Sequence, residues 1–253
     1  MNTSETINIL GVNINMLDMN LAFETAKKFL ESDDFHCIYT PNSEIVMSAY
    51  KNPEFCEVIN KADIKTADGI GLVYAARIQG TPLKERVAGF DLVMKLLSAL
   101  PELGKTVYFF GGAPGVAEEA KEKLEKMYPG INICGTSNGY FDETREKEII
   151  SEINEKKPDL LLVCLGSPKQ ENWINVHRNE LSCRLAMGVG GTLDVIAGRV
   201  QRAPQIFINL GLEWFYRLLK QPSRFIRMMA LPEFLLTVIG KKLFHKKEKN
   251  YNA

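Results

Sequence analysis

Two runs constrain the fold of this chain more than any other feature: TVYFFGG at residues 106–112 and DLLLVCLGS at 159–167. Each is a short, unbroken apolar segment that ends in glycine or just beyond it. A strand with one wet face alternates apolar and polar residues. An unbroken run instead reads as a strand buried on both faces, as in a parallel sheet covered by helices. Helical patterns separate such runs along the whole chain. INILGVNIN reads as strand and LAFETAKKFLES as helix. FHCIYT is a strand ending at Pro41 and Asn42, followed by the helical SEIVMSAY and by PEFCEVINKA, a helix with proline at its start. DIKTAD reads as a short strand, IGLVYAARIQG and GFDLVMKLLSAL as helices. The second half repeats the pattern: PGVAEEAKEKLEKMY helix, INICGTS strand, ETREKEIISEINEKK helix, PKQENWINVHR helix, CRLAMGVGG strand. The alternation predicts an α/β fold with a mostly parallel Rossmann-like sheet covered by helices.

The character changes near AGRVQRAPQ. From Pro204 onward only helical patterns remain, PQIFINLGLEWFYRLLKQ and SRFIRMMALPEFLLTVIGKKLF, with a break at Pro222. This predicts a catalytic α/β domain over 1–200 and a basic amphipathic helical appendage over 201–253, with KKLFHKKEKNYNA as a frayed tail. The net charge of zero hides the same division. Residues 201–253 carry ten Lys/Arg against three Glu, so the appendage is +7 and the remainder −7. A basic tail on an acidic body suits an anionic partner, nucleic acid or a lipid surface.

Five cysteines (Cys37, Cys56, Cys134, Cys164, Cys183) form no C-x-x-C pair and are odd in number. That argues against a disulfide framework or a structural zinc site and for core residues of a reduced, cytosolic protein. The N-terminal segment has neither a basic nor an apolar leader region, so no signal peptide is expected. The most apolar run, MMALPEFLLTVIG, falls short of the ~20 residues a membrane span needs.

Strand ends followed by glycine and a helix recur in FFGGAPGVAEE, CLGSPKQEN and GVGGTLDV. Ligands of open α/β sheets bind at such ends, where backbone N–H groups and helix starts favour phosphate. Gly112, Gly190 and Gly191 are therefore candidate ligand-loop residues, although plain turn chemistry explains each loop alone. Neither a G-x-G-x-x-G fingerprint nor a P-loop is present. In KTADGIGLV, Asp68 reads as a helix cap, a truncated dinucleotide loop or a catalytic carboxylate. Around it stand Thr40 and Asn42 in YTPNSE, Arg86 and Asp91 in KERVAGFD, and Lys169, Gln170 and Glu171 in SPKQE. Singly, Asn42 and Asp68 suit N-caps, Arg86 a surface charge, Gln170 a solvated residue. Together they supply a carboxylate, a guanidinium and amide or hydroxyl groups, an acid/base and anion-binding set. Asp194 suits a ribose hydroxyl or a cap equally well. The three histidines are scattered, so a histidine metal site is not expected.

The segments TPNSEIV, TADGIGLVYAARIQGTPLKERVAGFDL, FFGGAPGVAEEA, LGSPKQE, GVGGTLDVIAG and RAPQIFINLGLEWFYRLLKQPSRFIRM resemble, in order, the WecG/TagA/CpsF glycosyltransferases. Length and the basic C-terminal helices are most similar to its TagA branch. The resemblance implies an inverting, metal-independent transfer without a cofactor. N-acetylmannosamine passes from its UDP sugar to undecaprenyl-diphosphate-linked N-acetylglucosamine, in β-1,4 linkage, early in wall teichoic acid synthesis. It implies Asp68 as general base and Thr40, Arg86 and Gln170 as residues needed for activity. For the remaining residues the chemistry suggests Asn42, Asp91, Gly112, Lys169, Glu171, Gly190, Gly191 and Asp194 as substrate contacts. Arg217, Arg224 and Arg227 are candidates for the lipid pyrophosphate and the membrane; a solvated helix face is the alternative. The implied location is the inner face of the cell membrane, peripherally bound, with homo-oligomer formation expected and nucleic acid not a partner. Other readings remain: another UDP sugar donor such as the uronic acid of N-acetylmannosamine, a nicotinamide-dependent oxidoreductase, or a non-catalytic binder acting through the basic tail.

Overall fold

The structure, a computed structural model, describes residues 4–220 and 229–251. Its centre is a six-stranded sheet of β3 (His36–Tyr39), β4 (Ile64–Lys65), β5 (Thr106–Gly111), β6 (Asn132–Ser137), β7 (Leu160–Cys164) and β8 (Leu185–Gly188). The spatial order is β4-β3-β8-β7-β5-β6 and every neighbouring pair is parallel. The expected α/β class is what forms, and the unbroken apolar runs show why. Val107 and Phe109 of β5 point to one face, Tyr108 and Phe110 to the other, and all four are buried. All five residues of β7 are buried as well. Burying each large side chain stabilises the fold by roughly 1.5–3 kcal/mol.

One face is covered by α1 (Met19–Glu31), α5 (Gly89–Leu103), α6 (Val116–Met127) and α9 (Thr192–Ile196). The other is covered by α2 (Ser43–Lys51), α3 (Pro53–Asn60), α4 (Ile70–Gln79), α7 (Glu143–Lys156) and α8 (Lys169–His177). Each start follows local chemistry. Asp18, Asn42, Asn52 and Asp142 cap α1, α2, α3 and α7 through their side chains, and Pro53 opens α3.

The run INILGVNIN, expected as one strand, is an antiparallel hairpin of β1 (Thr6–Ile9) and β2 (Val12–Asn15). Its two-residue turn holds Leu10 at φ 51 and Gly11 at φ 98, the positive pair that tight hairpin turns require. Asn8 steadies it by accepting the Gly11 N–H at 3.1 Å.

The long helical run expected from Pro204 is interrupted. α10 (Gln205–Asn209) stops at Gly211, whose φ is +70, and α11 (Glu213–Lys220) restarts beyond it. A Cβ on Gly211 would lie 3.0 Å from Ile70, so this break packs on the start of α4. The last described helix, α12 (Ala230–Tyr251), extends through most of the segment expected to fray. It packs along α2 and α4 and buries Phe234 and Val238 in the same core as the sheet. The change in composition at residue 201 is thus bridged by packing.

Candidate active site

Chains leaving the carboxyl ends of neighbouring strands part to opposite faces here. α2 and α8, which follow β3 and β7, cover one face; α9 and α6, which follow β8 and β5, cover the other. Such switch points open crevices where open α/β sheets bind ligands.

Asp68 lies just past β4. Its Oδ2 accepts the N–H of Gly89 at 3.1 Å, and Val87 donates its N–H to the Ala67 carbonyl at 3.0 Å. Two hydrogen bonds thus zip the 86–89 loop to the end of β4 and bring Arg86 beside Asp68. Asp68 does cap a helix, but the capped helix is not the one that follows it. α4 starts at Gly69 (φ 113) with no side-chain cap, whereas α5 starts after Ala88, whose methyl group offers no acceptor. Asp68 meets that orphan N–H from 21 residues away. A carboxylate at a helix start is held in a favourable field.

Thr40 follows the end of β3. It is 7% exposed, and its hydroxyl donates to the Gly188 carbonyl at 3.1 Å. Gly89 lies so close that a Cβ there would meet three Thr40 atoms at 2.8–2.9 Å. Asn42 does cap α2: its Oδ1 accepts the Ile45 N–H at 3.0 Å. Its Nδ2 has no partner among the described residues, so it offers a ligand donors only.

Arg86 is not a plain surface charge. Nη1 donates to Glu213 Oε2 at 3.0 Å, with Asp91 Oδ2 3.8 Å from Nη2. Arg202 grips Asp91 with both nitrogens, at 2.7 and 2.8 Å, and stacks 4.6 Å from the Phe90 ring centroid. Four alternating charges thereby join the loop beside Asp68 to the segment entering α11. Sequence reasoning does not single out Glu213, Arg202 or Gly89. Glu213 lies within the GLEW motif, but nothing local marks it as the partner of a residue 127 positions away.

Gln170 and Glu171 open α8, after a cis Ser167–Pro168 peptide. Neither is solvated: Gln170 is 2% and Glu171 0% exposed. Gln170 Oε1 accepts the Gly190 N–H at 2.9 Å, and its Nε2 donates to Glu171 Oε1 at 2.8 Å. Glu171 Oε2 is buried without a hydrogen-bond partner among the described residues. Burial pushes the Glu171 carboxyl up from its ordinary value, against hydrogen bonds from Gln170, its own backbone and Ser167. Lys169 is exposed, with Nζ 3.9 Å from the Phe141 ring centroid and 3.3 Å from the Gly139 carbonyl.

Gly112 holds φ +72, gives its N–H to the Cys164 carbonyl at 3.1 Å, and accepts from Gly139 N–H at 2.8 Å. Its backbone is therefore committed within the fold. Gly190 (φ 51) faces open space. Gly191 follows, with the Asp194 carboxylate 3.7 Å from where its Cβ would be. Asp194 is half-buried and has no hydrogen-bond or ion-pair partner among the described residues, so its side chain caps nothing. Lys123, donating to the Ala197 carbonyl, and Arg199, paired with Glu119 at 2.5 Å, pin the far end of α9 to α6. Arg217 falls within α11, but its side chain lies outside what is described, as do Arg224 and Arg227 entirely. The five cysteines are unpaired, and burial raises each thiol.

Asp68, Arg86 and the glycine-ended loops lie at the carboxyl ends of a helix-covered parallel sheet, the rim where α/β enzymes bind their ligands. The chain belongs to the glycosyl transferase WecG/TagA/CpsF family, whose model matches residues 7–248. Among its relatives is a Bacillus spizizenii protein, 39% identical over 211 residues covering 83% of this chain and 81% of the relative. Proteins of Bacillus subtilis and Staphylococcus aureus are each 34% identical over 96% of both chains. All three are named N-acetylglucosaminyldiphosphoundecaprenol N-acetyl-beta-D-mannosaminyltransferase.

Proposed function

We propose that this chain transfers N-acetylmannosamine from a UDP sugar to undecaprenyl-diphosphate-linked N-acetylglucosamine, with inversion at the anomeric carbon. The observation that carries this reading is the zipped 67–89 junction, which brings Asp68 and Arg86 onto one rim. Similarity to relatives of that name, 34% identical over nearly the whole length of both chains, supports the substrates. In a single displacement, Asp68 takes the proton of the acceptor hydroxyl as the oxygen attacks C1 of the donor. The C1–oxygen bond to the diphosphate breaks and UDP leaves with that electron pair. Arg86 meets the charge that develops on the diphosphate. To do so it shares or exchanges Glu213, which now occupies Nη1. The donor N–H groups of Asn42 suit a sugar hydroxyl or the acetamido carbonyl, and the unpartnered Asp194 carboxylate suits the ribose hydroxyls. Transfer proceeds in this reading without a metal, so activity persists in excess EDTA.

No helix among the described residues is long and apolar enough to cross a membrane. Peripheral attachment to the inner membrane face is part of the proposal, through the appendage of residues 201–253. Its support is the apolar surface left exposed there, with Leu210, Leu219, Leu236, Leu243 and Phe244 each at least 59% exposed, beside Lys220, Lys241 and Lys242. The same surface offers a route to self-association. The test is a panel of UDP sugars with a short-chain lipid-linked N-acetylglucosamine acceptor. The reading expects transfer from UDP-N-acetylmannosamine above all others. Preference for its uronic acid would replace the donor, and no transfer from any sugar would remove the reaction.

A further inference from the structure

Thr40 and Gln170 grip the same short segment from two sides. Thr40 holds the carbonyl of Gly188 and Gln170 holds the N–H of Gly190. Both side chains are nearly sealed from solvent, so as they stand neither reaches a substrate. Gly190 faces open space, and after it come exposed Gly191 and Asp194, which has no hydrogen-bond or ion-pair partner among the described residues. Gly190 holds φ +51, and its half-buried N–H is met within the protein by Gln170 Oε1. Gln170 can supply that acceptor only if its amide points Oε1 toward Gly190. Amide oxygen and nitrogen are similar in shape, so packing alone does not choose between the two orientations. A second partner has to choose. Glu171 Oε1 is that partner, because it accepts only from Nε2. Space is fixed as well, since a Cβ on Gly188 would approach Gln170 Nε2 to 3.2 Å.

We infer that Glu171 is a positioning residue: through the Gln170 amide it sets the conformation of the Gly190–Gly191 turn into α9, the segment proposed to receive the donor. The inference deepens the role proposed above for that segment and rests on that reading. A carboxyl at this place is costly unless a specific bond requires it. It is fully buried, one oxygen lacks a partner, and no cation is among the groups that act on it. Glutamine in its place would keep an acceptor for Nε2; leucine would keep bulk but leave the amide free to flip.

The test pairs kinetics with amide exchange of the peptide spanning residues 188–196. Glu171→Gln is expected to keep transfer within about threefold and exchange unchanged. Glu171→Leu is expected to raise donor KM and lower kcat/KM by roughly 100-fold, the scale of a 1 Å misplacement, and to speed exchange at this peptide alone. Gln170→Leu should do the same, and the double leucine variant should be no worse than either, since both act on one bond chain. Should leucine prevent folding, the exchanged pair Gln170→Glu with Glu171→Gln decides. The carboxylate introduced at position 170 accepts from Gly190 N–H and from the amide introduced at position 171, so transfer should recover beyond that of Gln170→Glu alone. Additive leucine losses, an unaltered exchange rate in Glu171→Leu, or no recovery in the exchanged pair overturns the inference. Exchange is read without substrate, so a wrong donor or reaction leaves that readout standing.

Discussion

Replacing Asp68 separates the capping of α5 from the base chemistry proposed for the same carboxylate. Its Oδ2 accepts the first N–H of α5 at 3.1 Å, and the proposed chemistry uses the same group as base. Asp68→Ala removes both. Loss of a cap-type acceptor costs about 0.5–2 kcal/mol. For a chain of this size each kcal/mol lowers Tm by roughly 2–4 °C, so a fall of about 1–8 °C is expected from the two ranges together. Asp68→Asn keeps an acceptor for Gly89 and gives up only the attraction between charge and helix start, about 0.3–1 kcal/mol. Its Tm should therefore fall by less than that of the alanine variant. As a base, however, asparagine is no better than alanine, and both should lose about 100- to 10,000-fold in kcat. Melting curves and initial transfer rates on the same preparations read both quantities. Asparagine that transfers at a tenth of the normal rate or more refutes the base assignment. Asparagine that melts no higher than alanine refutes the capping.

Gly89→Ala places a Cβ within 2.8–2.9 Å of Thr40, which is tied to Gly188 and has nowhere to go. Overpacking of about 1–3 kcal/mol should lower Tm and reduce transfer together, and an unchanged Tm would contradict the packing. Arg86→Ala removes the proposed diphosphate donor and its ion pair with Glu213. A kcat loss of about 100- to 1,000-fold is expected, while Arg86→Lys, lacking the planar fork, should recover only part. The raised carboxyl of Glu171 binds a proton more tightly when folded than when unfolded. Its contribution to stability is therefore complete below the ordinary value of 4.5 and is lost as pH rises through the folded value. Relative to wild type, Glu171→Gln should gain Tm as pH rises above about 4.5; a constant difference would show that the carboxyl does not titrate there.

The sheet is legible in the sequence because burial on both faces leaves an unbroken apolar run, as in VYFF and LLLVC. Glycine marks the carboxyl ends of β5 and β8, where the chain leaves the sheet. The hairpin at residues 6–15 is not legible as two strands, since Leu10 at positive φ is an uncommon choice and Gly11 alone is a weak turn signal. The roles proposed for Asp68, Gln170 and Arg86 depend on partners at Gly89, Gly190 and Glu213. Those contacts arise from the strand order, which periodicity does not encode. Sequence alone suggests a solvated Gln170 because residues at helix starts usually are; here β8 brings Gly188 and Gly190 over it. The roles of Arg224 and Arg227 rest on sequence alone, as both lie outside the described residues.

The central claim, an inverting displacement with Asp68 as base, meets its most direct test in the product of one turnover. Wild-type protein would be mixed with UDP-N-acetylmannosamine labelled with carbon-13 at C1 and a short-chain lipid-linked N-acetylglucosamine. The C1 configuration is then read by NMR, with Asp68→Asn as the parallel sample. An Asp68-driven inversion yields a β-linked product from the α-linked donor in wild type and essentially none in the variant, with UDP binding equally tight in both. Retained configuration, or an equal yield from the variant, would contradict it.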